Sequence, residues 1–248
     1  MEESKGSISR RGLFRFGALT AISAAAAPLI HLRHAEAQSE VCNPEAPTNP
    51  ADALAALVAG NMRWYNENQQ HPNEDIPRRN CLATNPQTPY AAILSCSDSR
   101  CAPELVFDQG VGDIFVARVA GNTASGRLVD SLLFGVSKTG GLGAQLLFVM
   151  GHSSCGAVIN SFRVYPKPNK DLPFLNLIFP AVKAAKQIVK NQGGDPNDEA
   201  TVVPVATVQN VILTALQLRK YLGLNANEVA GGVYDLGRFK VDLVPIPS

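Results

Sequence analysis

Cys96-Ser97-Asp98-Ser99-Arg100 and His152-Ser153-Ser154-Cys155 carry the residue types best suited to chemistry in this chain. Each follows an apolar run, Ala91 to Leu94 in the first case and Leu146 to Met150 in the second. Two thiolates, an imidazole and a carboxylate are the donor inventory of a zinc site. Catalytic zinc keeps three protein ligands and leaves a fourth position to water. Cys96, His152 and Cys155 supply a Cys₂His set, and Asp98 follows Cys96 closely enough to take the fourth place or to withdraw from it. Arg100 can hold Asp98 away through a bidentate salt bridge. That arrangement implies a switch, closed with Asp98 on the metal and open with Asp98 on Arg100. The plainer alternative is a structural Cys₂HisAsp zinc site. Such sites usually draw on Cys-x-x-Cys knuckles in loops, whereas these donors follow predicted strands.

The elements that must position these donors alternate along the chain. Buried strands are predicted at Tyr90 to Ser95, Ile114 to Val119 and Gln145 to Met150. Helices are predicted at Ala51 to Asn66, Pro103 to Gln109, Ser125 to Lys138, from Ala157 to Phe162, at Leu175 to Asn191 and at Val205 to Leu222. His71 to Pro89, with prolines at 72, 77, 86 and 89, reads as a loop. Val229 to Tyr234 and Lys240 to Val244 read as a terminal hairpin. The alternation predicts an α/β fold, with a mainly parallel central sheet flanked by helices and the hairpin strand at its edge. A buried strand ending in polar residues places them at the carboxyl edge of the sheet, where open α/β folds bind ligands. Gly140-Gly141-Leu142-Gly143 precedes a strand rather than linking strand to helix, so it is a turn and not a phosphate loop.

The chain has 248 residues, 46% hydrophobic and 17% charged, with a net charge of +1. That is ample for one core. The basic excess lies at the start; residues 38–248 hold 17 basic and 18 acidic groups. Nucleic-acid binding has no electrostatic support there. Ser9-Arg10-Arg11-Gly12-Leu13-Phe14-Arg15 is a twin-arginine pattern, followed by an Ala-rich run from Phe16 to Ile30 and an A-x-A cleavage site at Ala35-Glu36-Ala37. The run is shorter than the roughly 20 residues that span a bilayer, and Pro28 interrupts it. The expectation is a signal peptide over 1–37, one catalytic domain with an N-terminal helical arm over 38–248, and a periplasmic or secreted protein with no membrane span in the mature chain. Such a compartment permits a disulfide between Cys42 and Cys81. Pairing needs a geometry that the sequence does not supply, and free, partly buried thiols are the simpler expectation. Cys101, close to a metal ligand, reads as an oxidation liability.

The chain resembles the β-class carbonic anhydrases. The resemblance rests on Cys-Ser-Asp-Ser-Arg at 96–100, Pro-Glu-Leu-Val-Phe-Asp-Gln-Gly at 103–110, Gly-Asp-Ile-Phe-Val-Ala-Arg-Val-Ala-Gly-Asn at 112–122 and Gly-His-Ser-Ser-Cys-Gly-Ala at 151–157. It extends from the helix near Ala51 to the hairpin near Val244. It implies reversible hydration of carbon dioxide to bicarbonate and a proton by zinc-bound hydroxide, with one Zn²⁺ per chain. It also implies a homodimer or higher homo-oligomer whose N-terminal helices wrap the partner. Carried over, Cys96, His152 and Cys155 are the zinc ligands, with Asp98 a fourth in the closed state. Asp98 and Arg100 are the catalytic dyad that positions the zinc-bound water or hydroxide.

On the same resemblance, Gln87 is placed to donate to bicarbonate, across a dimer interface. Phe115 matches an aromatic wall residue, and Phe134 stands where the plant-like subgroup usually has Tyr, so one hydroxyl contact is missing. Gly156 offers its backbone N–H. Ile93 replaces the Trp of the bicarbonate-regulated subgroup, which implies no such regulation. The bland alternatives are a loop glutamine for Gln87 and core packing for Phe115 and Phe134. His71 reads as a surface histidine, with a proton shuttle as its alternative, and Trp64 as an interface or core anchor. Ser131 and Ser153 have no identifiable base partner, so a serine hydrolase is unsupported. Two other functions fit the zinc motifs: hydrolysis of carbon disulfide or carbonyl sulfide on the same scaffold, and non-catalytic zinc holding. The Asp98–Arg100 pair argues against the latter, which has no use for it.

Overall fold

Five short strands form one sheet: β1 (Ala91–Ser95), β2 (Ile114–Arg118), β3 (Leu146–His152), β4 (Val229–Asp235) and β5 (Lys240–Leu243). The computed structural model describes residues 41–248; the twin-arginine pattern, the Ala-rich run, the cleavage site and the 1–37 boundary lie outside the described residues. The described residues belong to one compact unit. The strand order is β2-β1-β3-β4-β5, parallel throughout except for the antiparallel β4–β5 hairpin. From β1 the chain steps first to β2 on one side and then to β3 on the other. In doubly wound sheets the crevice between two strands that diverge in this way is the ligand site.

Both faces of the sheet are buried, which is why its central strands are continuous apolar runs. Ile93, Phe148 and Met150 face one core with Leu57 and Phe107. Ala92, Leu94, Leu147 and Val149 face the other with Val129, Leu132, Val211 and Leu218. Each large side chain buried here contributes about 1.5–3 kcal/mol relative to exposure. The helices are α1 (Pro50–Tyr65), α2 (Ile76–Thr84), α3 (Pro103–Val106), α4 (Gly126–Val136), α5 (Gly156–Val164), α6 (Phe179–Asn191) and α7 (Glu199–Leu222), of which α1, α4 and α7 pack directly on the strands.

Three elements differ from the sequence expectation. The predicted loop at 71–89 contains α2. Asp75 caps it by accepting from the Arg78 amide at 2.8 Å, and Pro77 lies in the first turn, where no N–H is required. The helix predicted to start at Val205 begins at Glu199 and runs through Pro204. Asp198 accepts from the Ala200 and Thr201 amides, and this cap offsets the hydrogen bond that Pro204 cannot make. Leu175 to Asn191 is not one helix: a 3₁₀ segment, Pro173–Ile178, precedes α6. Among the described residues, α7 alone is long and apolar enough to cross a membrane. Its Val202, Ala206, Val211, Ala215 and Leu218 are core residues of this fold.

The expectation of free thiols at Cys42 and Cys81 is corrected: the two form a disulfide. Cys81 lies in α2, and the chain at Cys42 reaches it because Asn43 donates to Asp113 at 3.0 Å. Asp113 also accepts from Asn73, the Gly110 amide and Arg78, so one buried carboxylate gathers both segments.

Candidate metal centre

The carboxyl ends of β1 and β3 deliver the donors. Cys96 follows β1 directly, His152 is the last residue of β3, and Cys155 is the N-cap of α5. All three are buried, and their donor atoms lie within 4.8 Å of one another. The two sulfurs are 4.0 Å apart. Two zinc–sulfur bonds at the tetrahedral angle would set them roughly 3.8 Å apart. His152 Nδ1 lies 2.9 Å from the Ser153 carbonyl. A carbonyl only accepts, so Nδ1 carries the proton and Nε2 presents its lone pair. Among the described residues, that Nε2 is buried without a hydrogen-bond partner. An orphaned buried polar atom costs about 1–3 kcal/mol, and a metal cation facing the lone pair removes that cost. The donor set therefore fits zinc.

The two thiols are not equivalent. The hydrogen bond from Cys155 pulls the Cys96 thiol well below its ordinary value against the opposing effect of burial, with help from the Gly121 N–H at 3.3 Å. Cys155 is pushed up by the same shared hydrogen bond and by burial. A divalent cation binds thiolates, so one held here would displace the thiol protons. The expectation that Cys101 is an oxidation liability does not fit its surroundings. Cys101 is buried, its thiol faces the Cys96 and Asp98 carbonyls, and burial pushes it up to about 11. A protonated, enclosed thiol is unreactive.

Asp98 is turned onto Arg100. Arg100 Nε donates to Oδ1 at 2.9 Å and an Nη to Oδ2 at 2.7 Å, while its backbone N–H reaches Oδ1 at 3.0 Å. These bonds, the side-chain ones foremost, hold the carboxyl well below the usual carboxylate range. Asp98 Oδ2 is still only 3.9 Å from His152 Nε2. The carboxylate thus stands at the rim of the donor cluster as an anionic acceptor.

Sequence reasoning assigned no role to Arg118, the last residue of β2. Its guanidinium donates to the Cys96 carbonyl at 3.0 Å and to the Asp98 carbonyl at 2.6 Å, which fixes the loop carrying both side chains. The signal available was a cation closing an otherwise apolar strand. Gly121, which faces the Cys96 sulfur, was also passed over.

The remaining candidates are distributed as follows. Gly156 is exposed at the start of α5, beside Cys155, and open space lies where a side chain would project. Gln87 is exposed on the loop before β1. Phe115 pairs in register with Ala92, four residues before Cys96, or roughly 13 Å along the strand. Phe134 packs edge-on against it, centroids 6.3 Å apart, and is 47% exposed. Within one chain, Gln87, Phe115 and Phe134 therefore stand apart from the Cys₂His cluster. His71 is exposed beside Glu74. Trp64 is a core anchor whose indole N–H donates to the Tyr234 hydroxyl at 3.0 Å. The Ser153 hydroxyl accepts from the Leu236 amide, and the Ser131 hydroxyl donates to the Arg127 carbonyl.

Residues 91–240 match the family model described as carbonic anhydrase. The chain is 32% identical over 197 residues to a carbonic anhydrase of Mycolicibacterium smegmatis, across 79% of this chain and 94% of that protein. It is 43% identical over 111 residues to carbonic anhydrase 2 of Mycobacterium tuberculosis, across 45% of this chain; the match spans about half of that protein, 52% of its length. Among solved structures, the β-carbonic anhydrase CcaA superposes with a TM-score of 0.52 at 24% identity, over 78% of this chain and 99% of that one. One of two tetrameric β-carbonic anhydrases of Sordaria macrospora superposes with a TM-score of 0.53 at 19% identity, over 79% and 99%. At these identities the superpositions speak to the fold.

Proposed function

The chain belongs to the carbonic anhydrase family, and from that premise we propose that it catalyses CO₂ + H₂O ⇌ HCO₃⁻ + H⁺ at the crevice between β1 and β3. One observation carries the reading: a buried Cys₂His set whose neighbouring carboxylate is withheld by an arginine. Cys96, His152 and Cys155 would hold the zinc. When bound, zinc supplies a Lewis acid that makes water nucleophilic near neutral pH. Asp98 accepts a hydrogen bond from the water entering the crevice and aims its lone pair at the carbon of CO₂. Arg100 keeps that carboxylate anionic and turned outward, which leaves the fourth place beside the donors accessible. Arg118 holds the loop so that Asp98 cannot drift. Gly156 N–H, free at the start of α5, is positioned to donate to a bicarbonate oxygen. Stopped-flow hydration of carbon dioxide by the purified zinc-loaded protein tests the proposal. A folded, zinc-replete protein without turnover would refute it.

We further propose a homodimer or higher homo-oligomer. Leu133 and Phe134 are exposed apolar residues on α4, next to half-buried Phe115. A partner copy covering this face would exclude them from water and supply Gln87, Phe115 and Phe134 as a substrate wall. Light scattering on the purified protein tests this, and a monomer at working concentration would refute it. Export through the twin-arginine pathway is proposed on the Ser9–Arg15 pattern, and the Cys42–Cys81 disulfide is of the kind that oxidising compartments sustain.

A further inference from the structure

Asn210 lies on α7, far from the crevice in sequence and 4% exposed. Its side-chain Nδ2 donates to the Gly121 carbonyl at 2.9 Å across a separation of 89 residues. Gly121 in turn points its N–H at the Cys96 sulfur. The short segment between these contacts is conformationally costly. Gly121 has φ +71° and Asn122 has φ +43°, two successive left-handed residues, the second of which is not glycine. Such backbone persists only where its surroundings over-determine it. A side chain on Gly121 is excluded, because a Cβ would come within 2.7 Å of Ile178 Cδ1 and 2.9 Å of Ala157 Cβ. The Val119 amide bonds to Ser95 and the Asn122 amide to Val119, at 3.1 and 3.0 Å. Among the described residues, Asn122 Nδ2 is buried without a hydrogen-bond partner. The bond from Asn210 is the tie that reaches Gly121 itself.

We propose that Asn210 is a positioning residue for the metal centre: by holding the Gly121 carbonyl it keeps the Gly121 N–H on the sulfur of Cys96. An N–H donated to a ligating thiolate withdraws electron density from the sulfur and orients it, so the grip on the metal is tuned from α7. The inference rests on Cys96 ligating zinc, as proposed above.

The test uses the purified protein loaded with ¹¹³Cd in place of zinc and labelled with ¹⁵N. In the wild-type protein the Gly121 amide proton should show scalar coupling to cadmium through the N–H···S bond. Asn210→Leu, close in size but without the donor, should lose that coupling. It should also release zinc to a competing chelator about 10–100-fold more readily. Thr207→Val is the control. Thr207 is equally buried one turn earlier on α7, but its hydroxyl bonds within the helix, to the Val203 carbonyl at 3.0 Å. It should lose stability without change in the coupling or in zinc release. Wild-type coupling and zinc retention in a folded Asn210→Leu protein would overturn the inference. Should that variant fail to fold, absence of Gly121 coupling in the wild-type protein, with Cys96 Hβ coupling present, overturns it equally. Absence of Cys96 Hβ coupling removes the ligand assignment itself, and the inference with it.

Discussion

Replacing Cys42 and Cys81 together with serine should lower stability without impairing the site. The disulfide closes a loop across a sequence separation of 39. In the chain-entropy account, a loop of that length removes about 4 kcal/mol worth of freedom from the unfolded state. For a domain of this size each kcal/mol shifts Tm by about 2–4 °C, so the melting temperature should fall by about 8–16 °C. The bridge lies beside Asp113, which accepts from Asn43 and precedes β2. That is the amino end of the parallel strands, opposite the edge carrying Cys96 and His152. Activity at 25 °C should therefore persist while the thermal midpoint drops. The assay is thermal unfolding of wild type and variant, each with and without a phosphine reductant, which avoids thiol competition for metal. Reduced wild type should converge on the variant, and the variant should not respond. Equal midpoints for oxidised wild type and variant would refute the entropic argument. Unpaired Cys42 and Cys81 by mass spectrometry of the purified, non-reduced protein would refute the bridge.

Cys96→Ala and His152→Ala should each abolish stoichiometric zinc and lower Tm, because the donors tie the ends of β1 and β3; metal analysis of the folded variants checks this. Arg100→Ala should lower kcat/KM by roughly 10–100-fold with zinc retained, since Asp98 loses the fork that orients it; wild-type turnover would contradict the dyad. Asp108 provides an acid-sensitive anchor. Burial pushes its carboxyl up, but the Gln70 amide, Arg63 at 2.5 Å and the His71 amide outweigh it and hold it below its ordinary value. A depressed folded pKa contributes stability above the unfolded value of about 3.9, and that contribution is lost as pH falls through the folded pKa. Urea unfolding should accordingly show Asp108→Asn weaker than wild type at neutral pH, with the gap closing in acid; a pH-independent gap would contradict this. Replacing Arg10 and Arg11 with Lys should stop export, read by cell fractionation, because the paired guanidinium groups are not interchangeable with ammonium.

The legible part of this protein was local. Apolar runs at 91–94 and 146–150 mark strands buried on both faces, because only such strands are apolar at every position. The polar residues that end them fall at the sheet's carboxyl edge by connectivity alone. The Cys96, Asp98, Arg100, His152 and Cys155 cluster could thus be assembled from spacing and donor chemistry before any distance was known. What remained hidden depended on segments distant in the chain. Pro77 fell in a predicted loop and the predicted helix at 205–222 began just after Pro204; a proline's cost depends on which turn it occupies, and Asp75 and Asp198 decide that by capping. The pairing of Cys42 with Cys81 required the approach of two segments through Asp113, which no thiol spacing encodes. Gln87, Phe115 and Phe134 are grouped with the donors by resemblance yet lie away from them in one chain, since strand register separates Phe115 from Cys96. Asn210 carries no local signal, being one of several polar residues on a long helix. Its partner is a backbone carbonyl, and a carbonyl has no sequence identity to read, so only the tertiary fold could bring the two together.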